Sequence, residues 1–294
     1  MPGVGRVTSG RDLPGAEAPA ERRLSRPWQR NLAALVAGLL IAAAFPPFKV
    51  WPLLGVALIP LVFAVRGSPG PWAAFRVGTL AGAVWFATSF YWVHHTLVAM
   101  SGFSKPLAAL GLLLFGLFQG LSIGTWAWLT RRFFQQGGVS ALLASSVSWV
   151  ALELAFPWVF PLPIMLALGP APLLTQVADI AGVYGGSALV VGFNLLLVRA
   201  LARPGAWRAP LAVAALLLLL VSAYGGLRLR SLLPDQRTRR LRVAWVQPSI
   251  TPEEKRSRDL DVRFAAVERE WRHLEAVSAL APEIVILPEG SFPF

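Results

Sequence analysis

The stretch "EIVILPEG", residues 283–290, carries the carboxylate best placed for chemistry. Glu283 to Leu287 read as a buried strand, and Pro288-Glu289 follows at its C-terminal end, where open α/β sheets present ligands and catalytic groups. There Glu289 suits a general base that takes a proton from a nucleophile; the competing reading is a solvated acid in a turn. Two further acids, Glu153 and Asp179, sit in or beside apolar stretches. A carboxylate at membrane depth is costly and is therefore a functional suspect. The favoured role for both is structural: an interfacial position, or a bond to a Trp indole or to backbone freed by the nearby Pro-rich segment. His94 and His95 are adjacent, so on a helix their side chains diverge and do not readily share a metal; they read as an interfacial polar cap, and His273 as a helix-surface residue. The sequence contains no Cys, which removes disulfides, thiolate metal sites and a thiol nucleophile from it. Lys is confined to Lys49, Lys105 and Lys255. No cofactor and no metal are expected.

The elements that must position these groups are greasy. Hydrophobic residues make up 55% and charged residues 14% of the 294, with a mean hydropathy of +0.59, which excludes an ordinary water-soluble globule. Twelve Trp and seventeen Phe against three Tyr fit many apolar spans with interfacial rings. Residues 1–28 are Pro-, Gly-, Ala- and Arg-rich and read as a disordered cytoplasmic tail, without the pattern of a cleavable signal. About seven membrane-length segments follow, at 29–45, 50–66, 76–98, 106–130, 139–156, 173–201 and 209–226. Between the fifth and sixth, "FPWVFPLPIMLALGPAP" (156–172) cannot be a regular helix and reads as re-entrant or interfacial. Small residues at helix-packing spacing, Gly78/Gly82, Gly116/Gly120/Gly124 and Gly182/Gly186, predict close backbone approach; packing is likewise preferred to a phosphate loop for "GVYGGS" (182–187), which lacks the Lys-Ser/Thr.

The formal charge of +12 is distributed as membrane anchoring, not as a nucleic-acid footprint. Arg22, Arg23, Arg26 and Arg30 precede the first segment, and Arg66/Arg76, Arg131/Arg132 and Arg199/Arg203/Arg208 fill alternate gaps. This pattern puts the N-terminus inside and, after seven crossings, the C-terminal part outside. Arg237, Arg239, Arg240 and Arg242 run against that rule, which long translocated domains obey weakly. They read as neighbours of lipid headgroups; nucleic acid is not expected, because aromatic interleaving is missing.

After a linker at 229–240 the pattern changes. "LRVAWVQPSI" (241–250) reads as a strand, Thr251 with Glu254 as a capping box, and Leu260, Phe264, Val267, Trp271 and Leu274 as the buried face of one long helix. Arg263, Glu268, Arg269, Glu270 and Arg272 take the other faces. Glu283–Leu287 is the second strand. Strand, helix and strand form a βαβ unit, and two strands with one helix cannot bury a core of their own. The soluble domain over 241–294 is therefore expected to be incomplete.

Together these stretches resemble apolipoprotein N-acyltransferase, a membrane enzyme family with a helical bundle and a nitrilase-like domain. The likeness is carried by "FPPFKVWPL" (45–53), "FYWVHHTL" (90–97), "WVALEL" (149–154), "ADIAGVYGGSALVVGFN" (178–194), "LRVAWVQPSI" and "EIVILPEGSFP" (283–293), in that order. The resemblance implies a transmembrane bundle over 29–228 followed by the start of an αββα-sandwich, nitrilase-like domain, in the bacterial inner membrane with that domain periplasmic. It implies a phospholipid acyl donor, and as acceptor the N-terminal amine of a diacylglyceryl-cysteine apolipoprotein. It also implies a Glu–Lys–Cys triad in which Cys forms a thioester, Lys stabilises the oxyanion and Glu is the base. Glu289 falls on that Glu; the Lys and Cys have no counterpart in this chain. Departures are Gly290-Ser291-Phe292 after the Glu, where a small residue and Ala are usual, and Phe156 where Arg is frequent. Oligomeric state is not implied. A non-catalytic or partnered membrane subunit, as in polyprenol-phosphate glycosyl transfer, is the alternative, and a small transporter ranks last for want of inverted-repeat symmetry.

Overall fold

A computed structural model describes residues 24–202, 204–232 and 241–288. Glu289, the Arg run at 237–240 and residues 1–23 of the expected tail lie outside the described residues.

The bundle is built from α1 (Pro27–Ala44), a 3-10 turn at Trp51–Gly55, α2 (Ile59–Gly67), α3 (Pro71–Ser89), α4 (Trp92–Ser101), α5 (Lys105–Gln136), α6 (Gly138–Ala155), a 3-10 turn at Ile164–Leu168, α7 (Pro172–Thr175), α8 (Ala178–Ala202) and α9 (Arg208–Ser231). Among the described residues, four helices, α5, α6, α8 and α9, are long and apolar enough to cross a membrane by length and composition. They correspond to the last four expected segments. The first three differ in build. The polar first turn of α1 (Gln29, Arg30, Asn31) dilutes its hydropathy. The second segment is broken into a 3-10 turn and a nine-residue helix, with Pro52 and Pro60 at the two starts, where a missing N–H costs nothing. The third is interrupted at Phe90 and Tyr91, so that α3 and α4 are separate helices.

Glycine sets how closely these helices pack. A Cβ on Gly82 would lie 2.7 Å from Gly120 Cα, and one on Gly78 2.5 Å from the Ile123 carbonyl. The expected small-residue packing is thus the α3–α5 interface, the most extensive helix pair in the bundle. Gly186 also packs as expected, its missing Cβ leaving room for Met165. Gly182 does not: at φ +65° it bends the start of α8, with nothing within 4 Å of where its Cβ would be. It serves a backbone geometry that residues with a Cβ avoid. Inside, Trp126, Trp149, Trp85 and Phe86 form a continuous aromatic core, with centroid separations of 5.0, 6.4 and 4.4 Å along the series.

The extramembrane part is β1 (Val243–Trp245), α10 (Pro252–Arg256), α11 (Leu260–Ser278) and β2 (Ile284–Ile286). The strands pair in parallel, with Val243, Ala244 and Trp245 opposite Ile284, Val285 and Ile286. The capping box forms as expected: Glu254 N–H donates to Thr251 Oγ1 at 3.2 Å and Thr251 N–H to Glu254 Oε2 at 2.8 Å. The single long helix is corrected to two, because Asp259 caps a new start by accepting from Asp261 N–H at 2.9 Å. The expected buried face is also corrected. Leu260, Phe264 and Trp271 are exposed, Val267 and Leu274 half-buried, and Ala266 and Glu270 are the buried residues of α11. Two short strands offer one helix little to lie on, so much of its apolar stripe stays exposed.

Candidate functional site

Two ends of the bundle differ in chemistry. At one, α2, α5 and α8 finish and α6 begins. At the other lie α4, the Pro-rich stretch 156–171, the end of α9 and the extramembrane part, whose α10 touches α4. Of the acids singled out in the sequence, Glu153 and Asp179 belong to this second end.

Glu153, in the last turn of α6, is buried. Its Oε1 accepts from the Trp149 indole at 2.8 Å and from Ile164 N–H at 2.9 Å. Its carbonyl accepts from the Trp158 indole at 2.9 Å. Gln119 on α5 completes the job from the other side, donating to the Phe160 carbonyl at 2.9 Å and accepting from Val159 N–H at 3.2 Å. Ser187 Oγ accepts from Met165 N–H at 3.4 Å. Backbone polar groups at membrane depth need partners, and Pro157, Pro161 and Pro163 deny this segment a helix's own. Glu153 thus takes the structural role favoured from sequence, on both a Trp indole and freed backbone. Its second oxygen, like Trp85 Nε1, has no hydrogen-bond partner among the described residues; Glu153 and Trp85 are both among the residues lining one small void of about 10 Å³.

Asp179 is held differently. Its carboxylate accepts from the Tyr224 hydroxyl at 2.6 Å and from Arg228 Nε at 2.7 Å, joining the first turn of α8 to the end of α9. It is an exposed tie between helices. His94 contacts the Lys105 carbonyl at 3.3 Å, while His95 and His273 are exposed. Among the described residues no group of three or more His, Cys, Asp or Glu is arranged for a metal.

Gln119 and Asn194 are site-shaping residues that sequence reasoning missed. Asn194 on α8 accepts from Leu58 N–H at 3.1 Å and donates to the Leu54 carbonyl at 3.0 Å, satisfying the break between the 3-10 turn and α2. The available signal was a lone amide in an apolar run facing a Pro-containing one. Between the 3-10 turn at Trp51–Gly55, α8 and α9 lies a groove of about 280 Å³, lined by Trp51, Val190, Phe193, Leu217 and Val221 among others. Its walls are almost wholly apolar, so it suits a hydrocarbon chain, not a polar metabolite.

At this end, β1 and β2 form a two-stranded parallel sheet, extended by Val246 N–H donating to the Ile286 carbonyl at 3.1 Å and Glu283 N–H to the Arg242 carbonyl at 2.8 Å. Glu289 follows Pro288 beyond β2 in the sequence. Arg269 clamps Glu254 with two bonds of 3.0 and 2.9 Å and reaches the Pro248 carbonyl at 3.2 Å. This fastens the β1–α10 loop to α11. The arginine's hydrogen bonds, aided by Thr251 N–H, hold the Glu254 carboxyl down at about 2.

A multi-helix membrane bundle with an α/β extension at one end is the class these features define. The chain belongs to the apolipoprotein N-acyltransferase family: residues 37–196 match the model of the apolipoprotein N-acyltransferase N-terminal domain. It is similar to proteins named apolipoprotein N-acyltransferase from Geobacter metallireducens (31% identity; 91% of this chain, 52% of the relative), Rhizobium etli (32%; 91% and 53%) and Gloeobacter violaceus (32%; 90% and 51%). The chain spans about half the length of these curated relatives.

Proposed function

We propose that this chain is the membrane-bundle portion, with the first βαβ unit of a nitrilase-like domain, of an enzyme that moves an acyl chain from a phospholipid to the N-terminal amine of a diacylglyceryl-cysteine apolipoprotein. The observation that supports the proposal is the parallel β1–β2 pair, with α10 and α11 in its crossover, at the α4 end of a bundle of this family; Pro288-Glu289 follows β2 in the sequence. Seven crossings, with α1 and α3 as spans and the second span made of the 3-10 turn and α2, put this end outside the cytoplasm of a bacterial inner membrane. The uncovered faces of α11 and of both strands are then where the rest of an αββα sandwich packs. The apolar groove is suited to a lipid acyl chain.

In this reading Glu289 is the general base. It takes the proton from a thiol as sulfur attacks the donor ester carbonyl, giving a thioester and a lysophospholipid. The amine then attacks the thioester carbon, and the thiol is released as the amide forms. The thiol and the oxyanion-stabilising Lys have no counterpart in residues 1–294, so this polypeptide by itself transfers no acyl chain. The test is acyl transfer from labelled phospholipid to a diacylglyceryl-cysteine peptide. We expect none from the isolated chain, and in a longer product carrying Lys and Cys, Glu289→Gln lowers turnover by about 10²-fold or more. Full activity of the Gln variant, or turnover by the chain alone, refutes the mechanism. The second reading, a subunit whose partner supplies Lys and Cys, is favoured by the same uncovered apolar faces; it is recognised by activity that appears only when a second polypeptide copurifies.

A further inference from the structure

The apolar groove beside α8 and α9 has a polar rim. Val221 on α9 lines the groove, and so does Val177, just before α8. Tyr224 and Arg228 follow Val221 by three and seven residues, so they lie on the same face of α9, about 5 and 10 Å further along it. Asp179 comes two residues after Val177. The three close into one cluster. The Tyr224 hydroxyl donates to Asp179 Oδ1 at 2.6 Å, Arg228 Nε to Asp179 Oδ2 at 2.7 Å, and Arg228 Nη1 to Ser231 Oγ at 3.3 Å. It is accessible, with 41% of the Arg228 side chain and 37% of the Asp179 side chain exposed. Beside it α7 and α9 meet closely, since a Cβ on Gly225 would strike the Leu173 carbonyl.

Joining two helices explains the Asp179–Arg228 pair but not its place at the rim of an apolar groove. Trp51 on the 3-10 turn, Phe193 on α8 and Leu217 on α9 face the groove together, so a hydrocarbon chain in it is contacted from three elements. The exposed Leu113 and Leu114 of α5 offer a passing lipid one surface, and dispersion contacts add with number. A chain in the groove brings its headgroup to Tyr224 and Arg228, one to two turns beyond Val221. A guanidinium has five N–H donors, more than the bonds to Asp179 and Ser231 use, and its planar edge matches a phosphate. Arg230, exposed two residues on, adds positive charge at the same level. We propose that this flank binds a phospholipid, with one acyl chain in the groove and the phosphate on Arg228. The extramembrane part meets the bundle at α4, which packs on α5, whereas the groove lies where α8 meets α9. The lipid held here is a bound component of the bundle, and its binding is independent of the acyl-transfer reading.

The test uses the full chain in a neutral detergent with a small proportion of a phosphatidylcholine that carries a photoreactive diazirine at mid-chain. Labelled residues are quantified by mass spectrometry after illumination. We expect Phe193, Leu217 and Val221 to be labelled about fivefold more than Leu113 and Leu114. A diacylglycerol with the same chains, which lacks the phosphate, labels the groove about fivefold less. Arg228→Gln removes the phosphate contact and Val221→Trp fills the groove; each lowers groove labelling by a similar factor. Arg208→Gln, at the other end of α9, leaves it unchanged. Should Arg228→Gln fail to fold, having lost its bond to Asp179, Val221→Trp and the diacylglycerol comparison decide. Equal labelling of the groove and α5 marks bulk lipid only and overturns the proposal. Groove labelling that is the same with diacylglycerol, or indifferent to Arg228→Gln or Val221→Trp, overturns it as well.

Discussion

Glu153 shows how one side chain holds a stretch of backbone that cannot hold itself. Its Oε1 serves two donors, the Trp149 indole and Ile164 N–H, and both are stranded without it. Glu153→Ala is therefore expected to destabilise the bundle by roughly 2–4 kcal/mol, the sum of two buried donors left unpaired. Glu153→Gln, which keeps an acceptor oxygen, should lose less than half of that. Thermal unfolding in detergent, followed by Trp fluorescence, checks both; an alanine variant as stable as the parent would remove Glu153 from its structural role. Gln119 and Asn194 act by the same chemistry, each joining a donor to an acceptor across a break in regular structure.

At the scale of elements, the extramembrane unit depends on the loop between β1 and α11 being fastened down. The Glu254 carboxyl is depressed from its ordinary 4.5 to about 2, chiefly by Arg269. A carboxylate with a lowered folded-state pKa contributes stability that is fully present above its unfolded value and fades as pH falls toward the folded one. The contribution of this clamp is thus complete above about pH 5 and is lost between roughly 4.5 and 2. Amide exchange over 251–270, corrected for the intrinsic pH dependence of exchange, should show protection falling in that window. In Glu254→Gln the fall should be absent, with lower protection at pH 6. The glycine-lined contact of α3 with α5 carries no titrating group and should not respond.

At the scale of the whole molecule, the two ends of the bundle have opposite characters: Arg66, Arg131 and Arg199 around a pocket at one, buried amide and carboxylate chemistry plus an α/β unit at the other. The proposed orientation places the second end outside the cytoplasm. Because the chain has no Cys, single cysteines report sidedness without background. His273→Cys, on the exposed face of α11, should react with a membrane-impermeant maleimide added to spheroplasts. Ser140→Cys, at the exposed start of α6, should react only after the membrane is opened. The reverse pattern would place Glu289 in the cytoplasm and end the acyl-transfer proposal.

Much of this was legible in the sequence because it depends on local pattern. Apolar length marked the bundle, Pro spacing marked 156–172 as irregular, the Thr251–Glu254 capping box marked a helix start, and short β-favouring runs ended by Pro marked β1 and β2. Gly82 and Gly120 were also legible, since small residues four apart have few other uses in a membrane. Tertiary structure decided what depends on partners far along the chain. Nothing near Asn194 or Gln119 announces which backbone each satisfies, 136 and 40 residues away respectively. Periodicity named an apolar stripe on α11 but not whether anything covers it. The convergence of Arg66, Arg131 and Arg199 exists only once three helix ends meet. Pattern reports what a segment prefers; which segments meet is a property of the packed whole.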